Sequence, residues 1–255
     1  MSFDACAQLV ERGDPVRFRA TMAVPLAARR VLFPLYGFNI EVARTPWVTK
    51  EAMIAEMRLQ WWRDVLAEIA EGGPVRSHEV IDTLAPVLDA QGCRDLDTLI
   101  DVRRWDIYSD VFADRDHLDR YIAGTSGALM GTGARLLGQA DGQVVADFAY
   151  GVGIANFLRA IPALEAEGRK PLIDGTVEGV RDLAQDALHR LDRARAQHRQ
   201  VSRVAEAALV AGWQARPVLL RAIADPQRVA MGALDPAPFQ DRLRLMRAAT
   251  FGWWV

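Results

Sequence analysis

The chain is poor in the residues on which several classes of protein depend. It has two cysteines, Cys6 and Cys93, which are too few and too far apart for a disulfide framework or a cysteine-based metal site. A reducing cytoplasm fits this composition best. Its only lysines are Lys50 and Lys170, and its formal net charge is −2. The net charge gives no general electrostatic attraction for nucleic acid, so we expect no nucleic-acid partner.

Long apolar runs are also missing. No uninterrupted run approaches the roughly 20 residues that a membrane-spanning helix needs. Residues 1–4 lack the basic segment and the apolar segment with which a signal peptide begins. We therefore expect neither feature and place the protein in the cytoplasm. The alternative is a peripheral position at the inner face of the membrane.

What is present is a pattern of helices. At 255 residues, with 51% hydrophobic and 25% charged residues, the chain can bury an ordinary core. Apolar positions recur at helical spacing, no alternating run is long enough for a strand, and connections are short. We predict an all-α protein with one domain over residues 1–255. The predicted helices include one that begins at Asp14-Pro15, one that begins at Asp95 and includes Tyr108, and others over residues 49–72, 77–92, 116–137, 141–164, 177–201, 203–224 and 238–251. Pro34 and Pro86 should kink or break their helices.

One short run carries the most specific signal. Asn156 and Arg159 lie one helical turn apart, and Gly168-Arg169-Lys170-Pro171 follows. The run resembles the second aspartate-rich motif of the squalene/phytoene synthase family. In that resemblance, Ala160 and Leu164 stand where metal-binding aspartates would be. Neither side chain can coordinate a hard cation, because such a cation takes oxygen ligands.

Other pieces of the chain resemble the same family in the same order. They are Arg29-Arg30 with Leu35-Tyr36-Gly37-Phe38, Trp61-Trp62-Arg63-Asp64, Arg103-Arg104-Trp105-Asp106, and Tyr121 with Gly124, Thr125 and Gly127. The first aspartate-rich motif would place its acids near Ala43, Arg44 and Trp47. None of these is acidic, and Arg44 would repel a magnesium ion. Glu41 and Glu165 are rotated onto other helix faces, so neither is expected to substitute.

The resemblance implies an isoprenoid-synthase-type helical bundle around a central cavity. It also implies the chemistry of that family, in which magnesium ions assist the departure of diphosphate from an isoprenoid diphosphate. With both carboxylate clusters absent, we expect no catalytic residue, metal site or cofactor, and magnesium enters only if the chain is an enzyme after all. The residual ligand-binding residues that the resemblance implies are Tyr36, Tyr121, Gly124, Gly127, Asn156, Arg159 and Arg169.

A narrower resemblance points to a function. Asn39, Glu41 and Arg44, with the run from Met57 to Trp62, are similar to a branch of the family that includes a mitochondrial respiratory complex I assembly factor. This implies a non-catalytic binding or assembly role with a protein partner, namely complex I subunits. One alternative is an active head-to-head prenyl transferase that uses other acids, the candidates being Asp106, Asp110, Asp182 and Asp186. Another is a non-catalytic carrier of an isoprenoid or other lipid.

Three features can be explained either by packing within the protein or by a binding function. The glycines from Gly124 to Gly133, with Gly151 and Gly153, favour close helix packing over a channel for an apolar chain. Asn156 and Arg159 favour a buried polar pair over a ligand site. The last helix has an apolar side formed by Phe239, Leu243, Met246 and Thr250, which we expect to pack on the bundle. Docking of that side on a membrane surface or a protein partner is the alternative.

Overall fold

The computed structural model describes residues 3–49, 51–108 and 110–254. Within these ranges the chain is helical and forms no strand, with one isolated antiparallel bridge between Ala140 and Val201. The all-α prediction is therefore confirmed. The helices of the first half are α1 Phe3–Gly13, α2 Pro15–Met22, α3 Leu26–Ala43, α4 Thr45–Val48, α5 Ala52–Glu71, α6 Ile81–Leu84, α7 Ala90–Arg103 and α8 Trp105–Tyr108.

The second half contains the longest described helix, Gly142–Ala166, with 25 residues. The helices of this half are α9 Arg115–Ile122, α10 Ala128–Leu137, α11 Gly142–Ala166, α12 Val177–Ala196, α13 Glu206–Leu209, α14 Ala215–Ala224, α15 Gln227–Ala230 and α16 Pro238–Phe251. A π-helical segment, Ala123–Gly127, joins α9 to α10, and short 3-10 turns cover His198–Gln200 and Val210–Gly212. The predicted helix over residues 116–137 is thus continuous in the structure, with one wider turn in its middle.

Several helix boundaries follow from local chemistry, as predicted. The Asp14 carboxylate accepts a hydrogen bond from the Arg17 backbone N–H at 2.9 Å, and Pro15 is the first residue of α2. Asp141 caps α11 in the same way, through the Val144 N–H at 3.0 Å. Gly72 ends α5 with a φ of 69°, a left-handed conformation that glycine adopts without strain.

Other boundaries were predicted wrongly. The helix predicted over residues 77–92 is reduced to the four residues of α6, since Pro86 cannot continue it. The next helix begins at Ala90 rather than at Asp95, because the Asp89 carboxylate caps it through the Gly92 N–H at 2.8 Å. The segment over residues 203–224 is divided into α13, a 3-10 turn and α14. Helix α5, predicted over residues 49–72, begins at Ala52. Lys50, which is near the predicted start, lies outside the described residues.

Helix α11 forms the centre of the bundle and packs against α12, α14 and the π-helical segment. Glycines allow two close approaches, one between α11 and α12 and one between the π-helical segment and α7. A Cβ on Gly151 would lie 2.7 Å from the Leu191 Cβ, and a Cβ on Gly124 would lie 2.5 Å from the Val102 Cγ2. Both distances are too short for a real contact, which supports the packing interpretation for these two glycines.

Helix α11 also departs from the expectation about apolar runs. By length and composition it could cross a membrane, with a mean hydropathy of 1.4 over its most apolar 18 residues. However, 72% of that stretch is buried inside the protein. A helix surrounded by other helices is apolar on all sides for this reason alone.

The C-terminal helix α16 has the predicted bounds but the opposite orientation. Phe239, Leu243 and Met246 are 80%, 49% and 66% exposed. The buried residues of this helix are Asp241 and Ala248. The prediction that the apolar side of α16 packs on the bundle is therefore wrong.

Candidate functional site

A cavity of about 710 Å³ lies between the ends of several helices. One wall comes from the end of α3 and from α4, and includes Ala43, Arg44 and Trp47. The facing residues come from α11, where positions three or four residues apart share one side of the helix. They are Asn156, Arg159, Ala160 and Leu164. The positions that the resemblance assigns to the two aspartate-rich motifs thus face the same cavity.

The predicted site residues are divided between this cavity and its surroundings. Tyr121, Asn156, Arg159 and Arg169 line it. Three others are not part of its described lining. Tyr36 is buried in α3, where burial raises its pKa to about 12, and Arg17 lies over its ring. Gly124 packs against α7, and Gly127 faces a separate groove of about 600 Å³ along α10 and α11.

A hydrogen-bonded network forms one side of the cavity. The Arg103 Nη1 donates to the Asp106 Oδ2 at 2.9 Å and to the Tyr121 hydroxyl at 2.8 Å. The Tyr121 hydroxyl in turn donates to the Asp106 Oδ1 at 3.0 Å. Burial raises the pKa of the Tyr121 phenol, and Asp106 raises it further although Arg103 opposes this, so the hydroxyl remains a donor. Burial lowers the pKa of Arg103, but Tyr121 and Asp106 outweigh this effect and keep the guanidinium charged.

Two buried donors beside this network lack an acceptor in the part of the chain that the structure describes. They are the Nε of Arg103 and the Nε1 of Trp105, which lack a hydrogen-bond partner among the described residues. Both residues line the cavity. An unpaired buried donor costs about 1–3 kcal/mol. This side of the cavity can therefore accept a polar or anionic group.

Arg169 closes another side of the cavity. Its guanidinium lies over the Trp47 ring, 4.5 Å from the centroid, and its Nη2 donates to the Asp106 backbone carbonyl at 2.6 Å. No local pattern in the sequence indicates this pairing, because Trp47 and Arg169 are far apart in the chain. An arginine over a tryptophan is a cation–π contact. It connects α4, α8 and the loop after α11.

Arg159 binds protein groups rather than standing free in the cavity. Its Nη1 donates to the Gln214 Oε1 at 3.0 Å, and its Nη2 lies 2.8 Å from the Asp235 Oδ1. Gln214 also donates from its Nε2 to the buried Asp241 of α16. Arg159 therefore joins the cavity wall to the C-terminal part of the chain. No sequence pattern connected these four residues.

The described lining carries more positive than negative side chains. The cations are Arg17, Arg44, Arg103, Arg159, Arg169 and Lys170, and the acids are Asp14, Asp106, Asp110 and Asp235. Three of the acids form ion pairs. Asp14 lies 3.0 Å from Arg17, Asp106 lies 2.9 Å from Arg103, and Asp235 lies 2.8 Å from Arg159. An anionic ligand is favoured over a cation in such a surrounding.

The side chains at the two motif positions do not fit the magnesium ions that the resemblance implies. Ala43, Trp47, Ala160 and Leu164 offer no oxygen ligand. Glu41 is buried and pairs with Arg44 at 2.7 Å, and it is not part of the described cavity lining. No group of three or more potential ligands from histidine, cysteine, aspartate and glutamate comes together within the described ranges.

The acids proposed for the enzyme alternative are also separated. Asp106 and Asp110 line the cavity, but Asp182 and Asp186 are not part of its described lining. Asp186 instead lies 2.6 Å from the Arg115 Nη2 and 3.7 Å from the Arg190 Nε. Of the four candidates, Asp106 and Asp110 are therefore the pair placed to act on a ligand in this cavity.

Comparison with known proteins identifies relatives along most of the chain. A family model described as squalene/phytoene synthase matches residues 10–249. The chain is 36% identical over 74 residues to a Drosophila melanogaster protein named NADH dehydrogenase (ubiquinone) complex I, assembly factor 6 homolog. That match covers 29% of the chain and 22% of the relative. Proteins named NADH dehydrogenase (ubiquinone) complex I, assembly factor 6, from Bos taurus and Homo sapiens are each 24% identical over 161 residues, 62% of the chain and 48% of the relative. The matches thus span about half or less of each curated relative's length.

Two solved structures share the fold. A dehydrosqualene synthase in complex with ligand superposes with a TM-score of 0.79 at 14% identity, over 98% of this chain and 95% of the other. Squalene synthase HpnC from Alicyclobacillus acidocaldarius superposes with a TM-score of 0.71 at 16% identity, over 86% and 92% of the two chains. The predicted isoprenoid-synthase type of helical fold is therefore confirmed.

Proposed function

Because the chain belongs to the squalene/phytoene synthase family, we propose that it is a non-catalytic member that acts as a binding or assembly factor for respiratory complex I. The observation that carries the first half of this proposal is the composition of the cavity walls. The two motif positions face each other with alanine, arginine, tryptophan and leucine side chains. The relatives named as complex I assembly factor 6 support the second half.

The chemistry explains why these side chains argue against turnover. Diphosphate leaves an isoprenoid only when its developing negative charge is stabilised, and metal ions supply several kcal/mol of that stabilisation. Here the cavity offers guanidinium groups instead, and most of them already contact acids, a carbonyl or an aromatic ring. Such a site can hold an anion without bringing the metal charge that ionisation needs.

An activity assay tests the non-catalytic half. The purified protein is incubated with magnesium and farnesyl or geranylgeranyl diphosphate, and released diphosphate and extracted products are measured. We expect no release above a no-protein control, in a preparation shown to be folded by circular dichroism. Release that stops with a chelator would instead support the alternative, an active head-to-head prenyl transferase. Asp106→Asn and Asp110→Asn should then abolish it, while Asp182→Asn, outside the described lining, should not.

A genetic experiment tests the assembly half. Deletion of the gene should lower the amount of assembled complex I, measured on native gels, more than it lowers the isoprenoid content of the cells. The partners would then be complex I subunits, met in the cytoplasm or at the inner face of the membrane. A fall in isoprenoids with normal complex I would contradict the proposal and favour the enzyme.

A second candidate function is a non-catalytic carrier of an isoprenoid or other lipid. It is favoured by the cavity volume of about 710 Å³ and by the buried donors of Arg103 and Trp105, which have no partner among the described residues. Mass spectrometry of an organic extract of the purified protein should then find an apolar anion. Ala160→Phe, which fills the cavity, should remove it, and Ala163→Phe, on the same helix but outside the described lining, should not. An extract without such a molecule from the unmodified protein would contradict the carrier.

A further inference from the structure

Helix α16 presents a row of large apolar residues to solvent. Phe239, Leu243 and Met246 follow one another at intervals of four and three residues, so they form one stripe along the helix. All three are exposed. A surface helix that is held by ordinary packing would turn this stripe toward the core. The orientation of α16 therefore needs a different explanation.

The inward side of α16 shows what does hold it. Its buried residues are Asp241 and Ala248. The Asp241 carboxylate accepts a hydrogen bond from the Gln214 Nε2 and lies 4.0 Å from the Arg19 Nη2. At the far end, the Arg203 Nη2 donates to the Thr250 carbonyl at 3.2 Å. The inward Leu245 also packs against the core. The apolar stripe lies away from all of these contacts, so it contributes little to the attachment of the helix.

Arginines lie on both edges of the stripe. At about 100° per residue, Arg247 is rotated by about 80° to one side of Phe239, and Arg242 by about 60° to the other. Among the residues that the structure describes, neither arginine has an ion-pair partner. The one acidic residue of α16 is Asp241, which points inward. The outward face is thus apolar in the middle and positive along both edges.

We propose that this face of α16 lies on an anionic lipid surface. Interfacial helices bury an apolar stripe at the boundary of headgroups and acyl chains, while arginines at its edges reach the phosphates. Each such cation near an anionic surface contributes roughly 1 kcal/mol. The arrangement of α16 matches this chemistry on both counts.

The size of the stripe favours a lipid surface over a second protein. A helix of 14 residues is about 21 Å long. One row of side chains on it covers on the order of 200 Å², against roughly 800 Å² on each partner in a standard stable interface. A bilayer requires no matching pocket, so a narrow stripe with flanking charges is sufficient. The proposal does not depend on the assembly role.

Vesicle flotation tests the proposal on the full chain. Vesicles of phosphatidylglycerol and phosphatidylcholine in equal parts should carry the protein upward, and vesicles of phosphatidylcholine alone should not. Phe239→Ser with Met246→Ser should weaken binding by about tenfold or more, from the loss of two buried apolar side chains. Arg242→Glu with Arg247→Glu should weaken it similarly. The control Met53→Ser removes an equally exposed methionine from α5, 74% exposed, and should bind as the unmodified protein does.

The variants should fold normally, because their side chains are exposed, and an unchanged thermal midpoint checks this. Failure of the unmodified protein to float with either vesicle would overturn the proposal. So would equal binding by the α16 variants. Sedimentation velocity gives the remaining outcome: self-association that Phe239→Ser with Met246→Ser abolishes, without vesicle binding, would assign the stripe to a second copy of the chain and also overturn the lipid proposal.

Discussion

The guanidinium of Arg169 lies 4.5 Å from the centre of the Trp47 ring. This contact joins the loop after α11, which follows the second motif, to α4, which carries the Trp47 position of the first motif. The same guanidinium donates to the backbone carbonyl of Asp106. Where the resemblance implies metal ions between facing walls, the structure has a direct contact between a cation and an aromatic ring.

A double-mutant cycle measures this contact. Trp47→Ala and Arg169→Ala should show a coupling of about 0.5–1 kcal/mol in the free energy of unfolding, since Trp47 is about half exposed. The measurement is urea unfolding of the two single variants and the double variant. Lys170→Ala is the control, because its cycle with Trp47→Ala should give a coupling near zero. Strict additivity of Trp47→Ala and Arg169→Ala would show that the contact contributes nothing to stability.

Two glycines in neighbouring helices should respond oppositely to alanine. Gly131 in α10 has no atom within 4 Å of the position that a Cβ would take, so Gly131→Ala should stabilise by about 0.5–1 kcal/mol through helix propensity. A Cβ on Gly151 would lie 2.7 Å from the Leu191 Cβ, so Gly151→Ala should destabilise by about 1–3 kcal/mol. Thermal and urea unfolding check both. A neutral Gly151→Ala would mean that α11 and α12 can move apart without cost.

Features that depend on interactions between residues close in the sequence were predicted well, and features that depend on contacts between distant segments were not. The Asp14 and Asp141 caps act within three residues, so a local pattern was sufficient to place the starts of α2 and α11. The Asp89 cap was missed because Asp95 offers the same residue type nearby. The contacts of Arg159 with Gln214 and Asp235 join distant segments with no shared period. The apolar side of α16 was wrongly predicted to pack on the bundle. An apolar stripe indicates that a helix has an apolar contact surface, but it does not identify what that surface contacts.

The ion pair of Asp89 should make stability depend on pH in acid. Arg135 donates to both carboxylate oxygens, at 2.6 and 2.8 Å, and the Gly92 N–H also donates. These bonds, with Arg135 as the main cause, lower the pKa of Asp89 to about 2. The folded value lies below the unfolded value of about 4. The contribution is therefore complete above pH of about 4 and is lost as the pH falls toward 2.

Unfolding of the unmodified protein and of Asp89→Asn across this pH range checks the sign. Asparagine can still cap α7 through its side-chain oxygen, so the variant isolates the charge. The stability of Asp89→Asn should change less with pH between about 4 and 2. Arg135→Gln should flatten the same window, because it removes the partner rather than the acid. Identical slopes in all three proteins would contradict the assigned pKa.

Restoring carboxylates on one wall of the cavity should not create an enzyme. Ala160→Asp with Leu164→Asp would place two acids one turn apart on α11, on the side that faces the cavity. The facing wall would keep Ala43, Trp47 and the half-exposed guanidinium of Arg44. A cation there disfavours magnesium, and the new acids would sooner pair with arginines that already line the cavity.

Calorimetry with magnesium and the diphosphate-release assay measure the result. We expect the double variant to show no chelator-sensitive release, as for the unmodified protein. Ala163→Asp with Ala166→Asp is the control, since it adds the same charge to α11 outside the described lining. Turnover in the Ala160 and Leu164 variant alone would mean that one wall of carboxylates is sufficient. The lack of activity in the unmodified protein would then be explained by Ala160 and Leu164 alone, and not by the composition of both cavity walls.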